Sequence, residues 1–185
     1  MSSRFVITGA PGSGKTVFLT RLKALPRFRE FAFIDELARK LLAENPGYRH
    51  DKAALHAAIY RQQVAREAEL GNKPFITDRG TADAFAFHPE TASRVRTTLS
   101  REYKRYHSVV QLGTGAVLGE KYYTGDDIRL ETLEEALAIE QATKRVWQGH
   151  PDYHFIPANP DIEAKFDQFL QIIDACMSHF EESAK

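Results

Sequence analysis

Residues 7–16 read Ile7-Thr8-Gly9-Ala10-Pro11-Gly12-Ser13-Gly14-Lys15-Thr16. The last eight carry the G-x-x-x-x-G-K-[ST] spacing of a phosphate-binding loop. Phe5–Thr8 is a short apolar run that reads as a buried strand, and Val17, Phe18, Leu22 and Leu25 follow the loop at helical spacing. Strand, glycine-rich loop and helix in that order are the context the motif requires. Gly9, Gly12 and Gly14 permit backbone angles closed to other residues, so the loop can turn its N–H groups inward around an anion. The helix starting near Gly14 adds the positive end of its dipole. The expected ligand is ATP or GTP, held by Gly9, Ala10, Pro11, Gly12, Ser13, Gly14, Lys15, Thr16 and Val17. Lys15 is expected to neutralise the β- and γ-phosphates, and the Thr16 hydroxyl to bind Mg²⁺.

Outward from this loop, strand and helix patterns alternate along the chain, which predicts an α/β sandwich with a mostly parallel sheet. The further strands are expected at Phe31–Ile34, Phe75–Thr77, Ser108–Leu112 and Tyr153–Ile156. Helices are expected at Gly14–Leu25, Glu36–Glu44, Asp51–Leu70, briefly after Gly80, at Thr91–Tyr106, and from a Thr132-Leu133-Glu134-Glu135 capping box to Gln148. Asn159-Pro160 is read as the cap of a last helix, with Phe166, Phe169, Leu170, Ile173 and Met177 on its core face. Each polar cluster of interest follows a strand: the loop itself, Asp35-Glu36, Asp78-Arg79, Gly113–Gly115 and Asn159-Pro160. Open α/β sheets bind their ligands at those carboxyl ends, so Asn159 joins the candidate nucleotide contacts.

The 185 residues are enough for one domain, 1–185, around a single core. Lys+Arg and Asp+Glu are 25 each, which argues against a protein that coats nucleic acid. Cys176 sits in an apolar helical pattern and reads as a small buried hydrophobe. The run before the loop is too short for a leader, and no apolar run reaches the length of a membrane span, so a cytoplasmic protein is expected.

Asp35 and Glu36 stand at the tip of the second strand, where adjacent residues point to opposite faces, so only one should reach the cleft. Either could take the proton of an acceptor hydroxyl during phosphoryl transfer; the plainer alternative is a helix cap and a first-turn acid. Asp78 can hold the Mg²⁺ shell, and Arg79 can pair with phosphate. Asp83 is expected to support that segment. Arg129 lies in an irregular stretch and is a candidate lid arginine, with Arg145 as alternate. His56, Tyr60, Arg61, Gln62 and Gln63 read first as a solvated helix face and second as readers of an acceptor. Arg94, Arg101 and Arg105, seven and four apart, would share a basic helix face able to meet an anionic partner.

With these residues placed, the chain resembles the AAA-domain family of nucleoside-kinase-like P-loop proteins, which includes NadR- and Ttd14-like members. The resemblance is carried by residues 7–16, Asp35-Glu36-Leu37-Ala38-Arg39, Thr77-Asp78-Arg79-Gly80-Thr81-Ala82-Asp83 and Arg129–Ala136. It implies a three-layer P-loop NTPase fold, a five-stranded parallel sheet in the order 2-3-1-4-5 with helices on both faces, and a small lid at about 113–131. It also implies ATP or GTP with Mg²⁺ and a small acceptor. Glu36 then matches the acid after strand two, Arg39 its paired arginine, Asp78 the acid after strand three and Arg129 the lid arginine. Two functions compete. One is a phosphotransferase acting on a nucleoside- or nucleotide-like acceptor. The other is a nucleotide-gated binding protein or slow NTPase without a small-molecule acceptor.

Overall fold

Strand β1, Arg4–Thr8, is flanked on both sides by parallel neighbours, β3 (Phe75–Asp78) and β4 (Ser108–Leu112). Strands β2 (Ala32–Ile34) and β5 (Tyr153–Ile156) form the edges, giving the order β2-β3-β1-β4-β5. This is the expected sheet of a three-layer α/β P-loop fold. Residues 3–123 and 131–183 are described in this computed structural model. The strands nearest the centre are near-continuous apolar runs because helices cover both faces of the sheet.

Alternation along β1 divides the core. Phe5 and Ile7 face one layer, where α1 (Lys15–Ala24) and α8 (Ile162–Ser183) contribute Phe18, Leu19, Leu22, Phe166, Phe169 and Ile173. Val6 faces the other, with Phe75, Val109, Phe85 of α4 (Asp83–Phe87) and Trp147 of α7 (Leu133–Trp147). Helix α3 (Lys52–Glu69) packs on α2 (Ala38–Glu44) through Leu37, Leu41 and Leu55. The Thr132 capping box forms as expected, and Asp51 caps α3 by accepting from the Ala54 amide.

Four expectations need correction. The basic segment is not one helix: α5 (Thr91–Arg94) and α6 (Leu99–Tyr103) are separated by a break, with Arg96 at φ 58° and Thr98 capping α6. Arg94, Arg101 and Arg105 therefore share no helix face. Arg105 instead lies 2.7 Å from the buried Glu67 carboxylate, which neutralises it. Val17 is exposed rather than part of the apolar face of α1. The cap of α8 is Asp161, whose Oδ1 accepts from the Glu163 and Ala164 amides; Asn159, two residues earlier, accepts from the Asp161 amide. Cys176 is buried as expected, and burial pushes its thiol up to about 11. Among the described residues no helix is long and apolar enough to cross a membrane.

Candidate nucleotide site

The loop leaves the centre of the sheet and bends through positive φ at Gly9 (148°), Gly12 (74°) and Gly14 (90°). Crowding reinforces the need for glycine: a Cβ at Gly9 would meet the Leu112 carbonyl oxygen at 2.4 Å. Gly14 is the N-cap of α1, so the positive end of that helix faces the loop. Lys15 is buried, and its Nζ donates to the Gly9 carbonyl at 2.9 Å. Burial, then the nearby Arg79 charge, lowers its pKa to about 8. Thr16 and Val17 follow it, exposed on the first turn.

The loop is clamped from the β4 side. The Gly115 amide donates to the Gly12 carbonyl at 3.1 Å, and the Thr114 hydroxyl to the Pro11 carbonyl at 2.5 Å. The Tyr123 ring lies where a Cβ on Gly12 would be, at 2.7 Å. Lys165 of α8 holds the loop from below, its Nζ donating to the carbonyls of Ser13 (2.9 Å) and Gly113 (2.7 Å). Burial lowers this lysine too, to about 8. Lys165 was not singled out from the sequence, although a cation beside Phe166 on the apolar stripe of α8 was the available signal.

Two cavities are lined in part by the loop, one including Pro11 and the other Gly12, Ser13 and Gly14. One, about 180 Å³, is lined by Gly12, Ser13, Gly14, Asn159, Pro160 and Lys165, among others, so Asn159 shares a cavity with the loop. The other, about 160 Å³, lies beyond the tips of β2 and β3 and has room for about one aromatic ring. Glu36, Asp78, Arg79 and Asp83 form its polar floor, and Leu37, Ile59, Tyr60, Ala84 and Phe87 its apolar walls. Of the α3 face, His56, Tyr60 and Gln63 line this cavity, while Arg61 and Gln62 do not. The solvated-face reading of α3 is thus corrected for three of its five residues. His56 stacks on Phe87 with centroids 5.6 Å apart, and burial, then the neighbouring His88, lowers its pKa to about 4. It stands there as a neutral ring whose Nδ1 is buried without a partner.

The floor is an organised charge cluster. Arg79 adopts φ 70°, unusual for a bulky residue, held by its amide donating to the Ile7 carbonyl and its carbonyl accepting from the Thr77 hydroxyl at 2.7 Å. That turn directs its guanidinium over the Phe87 ring, between Glu36 (3.4 Å) and Asp83 (3.5 Å). Asp83 is the strut beneath: its carboxylate accepts from the Thr8 hydroxyl (2.5 Å), the Gly80 amide (2.8 Å) and the Trp147 indole (3.1 Å). This is the supporting role expected of it.

Two of the three floor carboxyls, Glu36 and Asp78, are shifted in opposite directions. Burial would raise Glu36, but Arg79 and Lys15 outweigh it and hold the carboxyl below its ordinary value. Burial dominates at Asp78 and raises it despite the same two cations. Asp78 Oδ1 is buried with no hydrogen-bond partner. An orphaned carboxylate oxygen beside a phosphate loop fits a ligand to a hydrated Mg²⁺, with Thr16 as the second protein group.

Asp35 is not brought to the cleft. Its side chain is exposed and pairs with Lys23 at 2.7 Å, so of the doublet only Glu36 lines the cavity. Arg39, expected as the partner of Glu36, is exposed and acts on it only as a nearby charge; Arg79 takes the pairing. Arg145 is exposed on α7 away from both cavities. Arg129 lies outside the described residues.

A buried lysine on a glycine loop at the centre of a parallel 2-3-1-4-5 sheet, with an acid at the neighbouring strand tip, defines a P-loop nucleotide-binding protein of the NTPase type. Residues 4–165 match the family model described as AAA domain, and the chain belongs to that family. Comparison with curated proteins gives no match.

Proposed function

We propose that the protein is a phosphotransferase that passes the γ-phosphoryl group of ATP or GTP to a hydroxyl of a small nucleoside- or nucleotide-like acceptor. The observation that carries this reading is the pair of separate cavities, each lined in part by residues of the phosphate loop. An enzyme that only hydrolyses its nucleotide needs the first of these, and a phosphotransferase needs both. The cavity with Asn159 takes the base of the nucleotide, and the cavity with Glu36 and Arg79 takes the acceptor. The resemblance to NadR- and Ttd14-like proteins points the same way, and an ATP-dependent reaction suits the cytoplasm.

The chemistry follows from the charges. Phosphoryl transfer needs positioning and charge stabilisation more than covalent help. Lys15 and the loop amides fix the donor phosphates. Glu36, kept ionised by Arg79 and Lys15, orients the acceptor hydroxyl and receives its proton. Arg79 faces the phosphoryl group as charge spreads onto its oxygens, and Arg129 is assigned a second such role by the resemblance. Asp78 and Thr16 would hold Mg²⁺, which when bound neutralises the β- and γ-phosphate oxygens. The apolar walls and the neutral His56 exclude water and offer a ring-sized surface.

Acceptor-stimulated release of ADP or GDP, screened over nucleosides and nucleotides, tests the reading. One class of acceptor should stimulate release, Lys15→Ala should abolish it, and Glu36→Gln should remove stimulation while nucleotide still binds. Slow hydrolysis that no acceptor changes would favour a nucleotide-gated protein. That second reading draws on one observation, the seating of Gly115 and Tyr123 against Gly12, which ties the segment after β4 to the loop.

A further inference from the structure

Outside the cleft, where α8 crosses the edge strand β5, three side chains of different ligand chemistry converge. Asp152 lies in the turn that leads into β5 and His154 in the strand itself, and their side chains meet. Helix α8 brings Cys176 against them. His154 Nε2 lies 2.7 Å from Asp152 Oδ1 and 3.6 Å from Cys176 Sγ. Carboxylate, imidazole and thiol donor atoms all lie within 4.8 Å of one another. Cys176 is buried while Asp152 and His154 are half-exposed, so the cluster is closed beneath and open to water on one side. None of the three lines either cavity of the nucleotide site.

We propose that Asp152, His154 and Cys176 form a zinc site that clamps α8 to the edge strand β5. Zinc binds sulfur at about 2.3 Å and nitrogen or oxygen at about 2.0–2.2 Å in a tetrahedron. Such bonds set a sulfur and a nitrogen ligand about 3.6 Å apart, which is the separation of Cys176 Sγ and His154 Nε2. Nitrogen and oxygen ligands come out about 3.4 Å apart, so Asp152 Oδ1 must draw back by roughly 0.7 Å. The half-exposed carboxylate has room to do so, and its other oxygen stays anchored by the Ser108 hydroxyl. One ring nitrogen, Nε2, faces both partners, as a shared ion requires. On binding, the thiol proton passes to water as the sulfur–zinc bond forms, Nε2 donates its lone pair with the ring proton on Nδ1, and a water fills the fourth position. The mixed sulfur, nitrogen and oxygen set selects zinc over Mg²⁺, which takes oxygen ligands only.

The full chain, reduced and stripped with chelator, is titrated with Co²⁺ and then with Zn²⁺. Cys176 is the only cysteine in the chain, so a sulfur-to-cobalt charge-transfer band in the near ultraviolet reports on this cluster alone. One equivalent of Co²⁺ should raise the band, and Zn²⁺ should bleach it. Cys176→Ser should abolish it. His154→Gln and Asp152→Asn should each weaken zinc by more than about a hundredfold, since even indirect partners of a metal site cost 10–100-fold. Circular dichroism and nucleotide binding establish that the variants are folded. Protection of the Cys176 thiol from a disulfide reagent by Zn²⁺ gives a second reading on the unaltered chain. Absence of the thiolate band, together with thiol reactivity that zinc does not change, overturns the proposal and leaves a hydrogen-bonded trio without an ion. Zinc affinity unchanged in all three variants overturns it equally.

Discussion

Replacing Asp83 measures how much of the cleft rests on one carboxylate. In Asp83→Ala the Gly80 amide and the Trp147 indole N–H lose their acceptor in a buried setting, and the Thr8 hydroxyl must turn elsewhere. An orphaned buried donor costs about 1–3 kcal/mol, so two of them cost about 4 kcal/mol. Arg79 also loses one of its two ion-pair partners. For a chain of this size about 2–4 °C of Tm is lost per kcal/mol, which puts Asp83→Ala roughly 8–16 °C below the parent. Asp83→Asn keeps an acceptor oxygen for Gly80 and Trp147 and a donor for Thr8, and gives up only the charge. That weakens each bond from the charged to the neutral range, about 1–2 kcal/mol in all and roughly 4 °C. Thermal unfolding followed by circular dichroism, with nucleotide binding measured below the transition, gives both numbers. Asp83→Ala within about 2 °C of the parent would refute the strut argument. Asp83→Asn as damaging as Asp83→Ala would show that charge rather than hydrogen-bond geometry supports the turn.

Lys15 gives a pH signature. Its pKa is about 8 in the folded protein and 10.5 ordinarily, so the folded state carries fewer protons across that window and Lys15 favours folding as pH rises through it. Phosphate prefers the charged lysine, so affinity for MgADP should fall above about pH 8, approaching tenfold per unit, and Lys15→Met should flatten that limb in a calorimetric titration. Gly80→Ala places a Cβ 2.9 Å from Trp147 and from Val6; overpacking of about 2 kcal/mol should lower Tm by roughly 4–8 °C in a calorimetric scan. Lys165→Met leaves the carbonyls of Ser13 and Gly113 without their donor. It should weaken MgADP binding about tenfold or more by equilibrium titration, because the loop is no longer held in shape; unchanged affinity would count against Lys165 as a brace.

Local rules made the β1–loop–α1 unit legible, since every signal lies within adjacent residues. Strands β4 and β5 and the Thr132 cap were read for the same reason. The break between α5 and α6 was not legible, because no glycine or proline marks it. Two side-chain bonds reinforce it, one local and one distant in sequence: Glu102 takes the Thr97 hydroxyl at 2.5 Å and the Tyr60 hydroxyl at 2.9 Å. The Asp35-Glu36 choice likewise depended on tertiary structure: Lys23 on α1 draws one carboxylate outward while Arg79 draws the other in. Alternation predicted that only one would enter the cleft, but not which. The φ of Arg79 has no signature in sequence at all, since a bulky residue is the last expected there. Asp78 was found because it follows an apolar strand, whereas His56 and Phe87 become a wall only when α3 and α4 meet.

The position of each strand in the sheet divides labour across the cleft. The phosphate loop and Asp78 hang from β1 and β3, which have neighbours on both sides, whereas Glu36 and Asn159 follow β2 and β5, each paired along one side only. The phosphate loop is thus rooted in the part of the sheet paired on both sides, and the two hollows are walled partly from the margins. Divergence at those margins can redraw what the hollows accept while the anion cradle stays as it is.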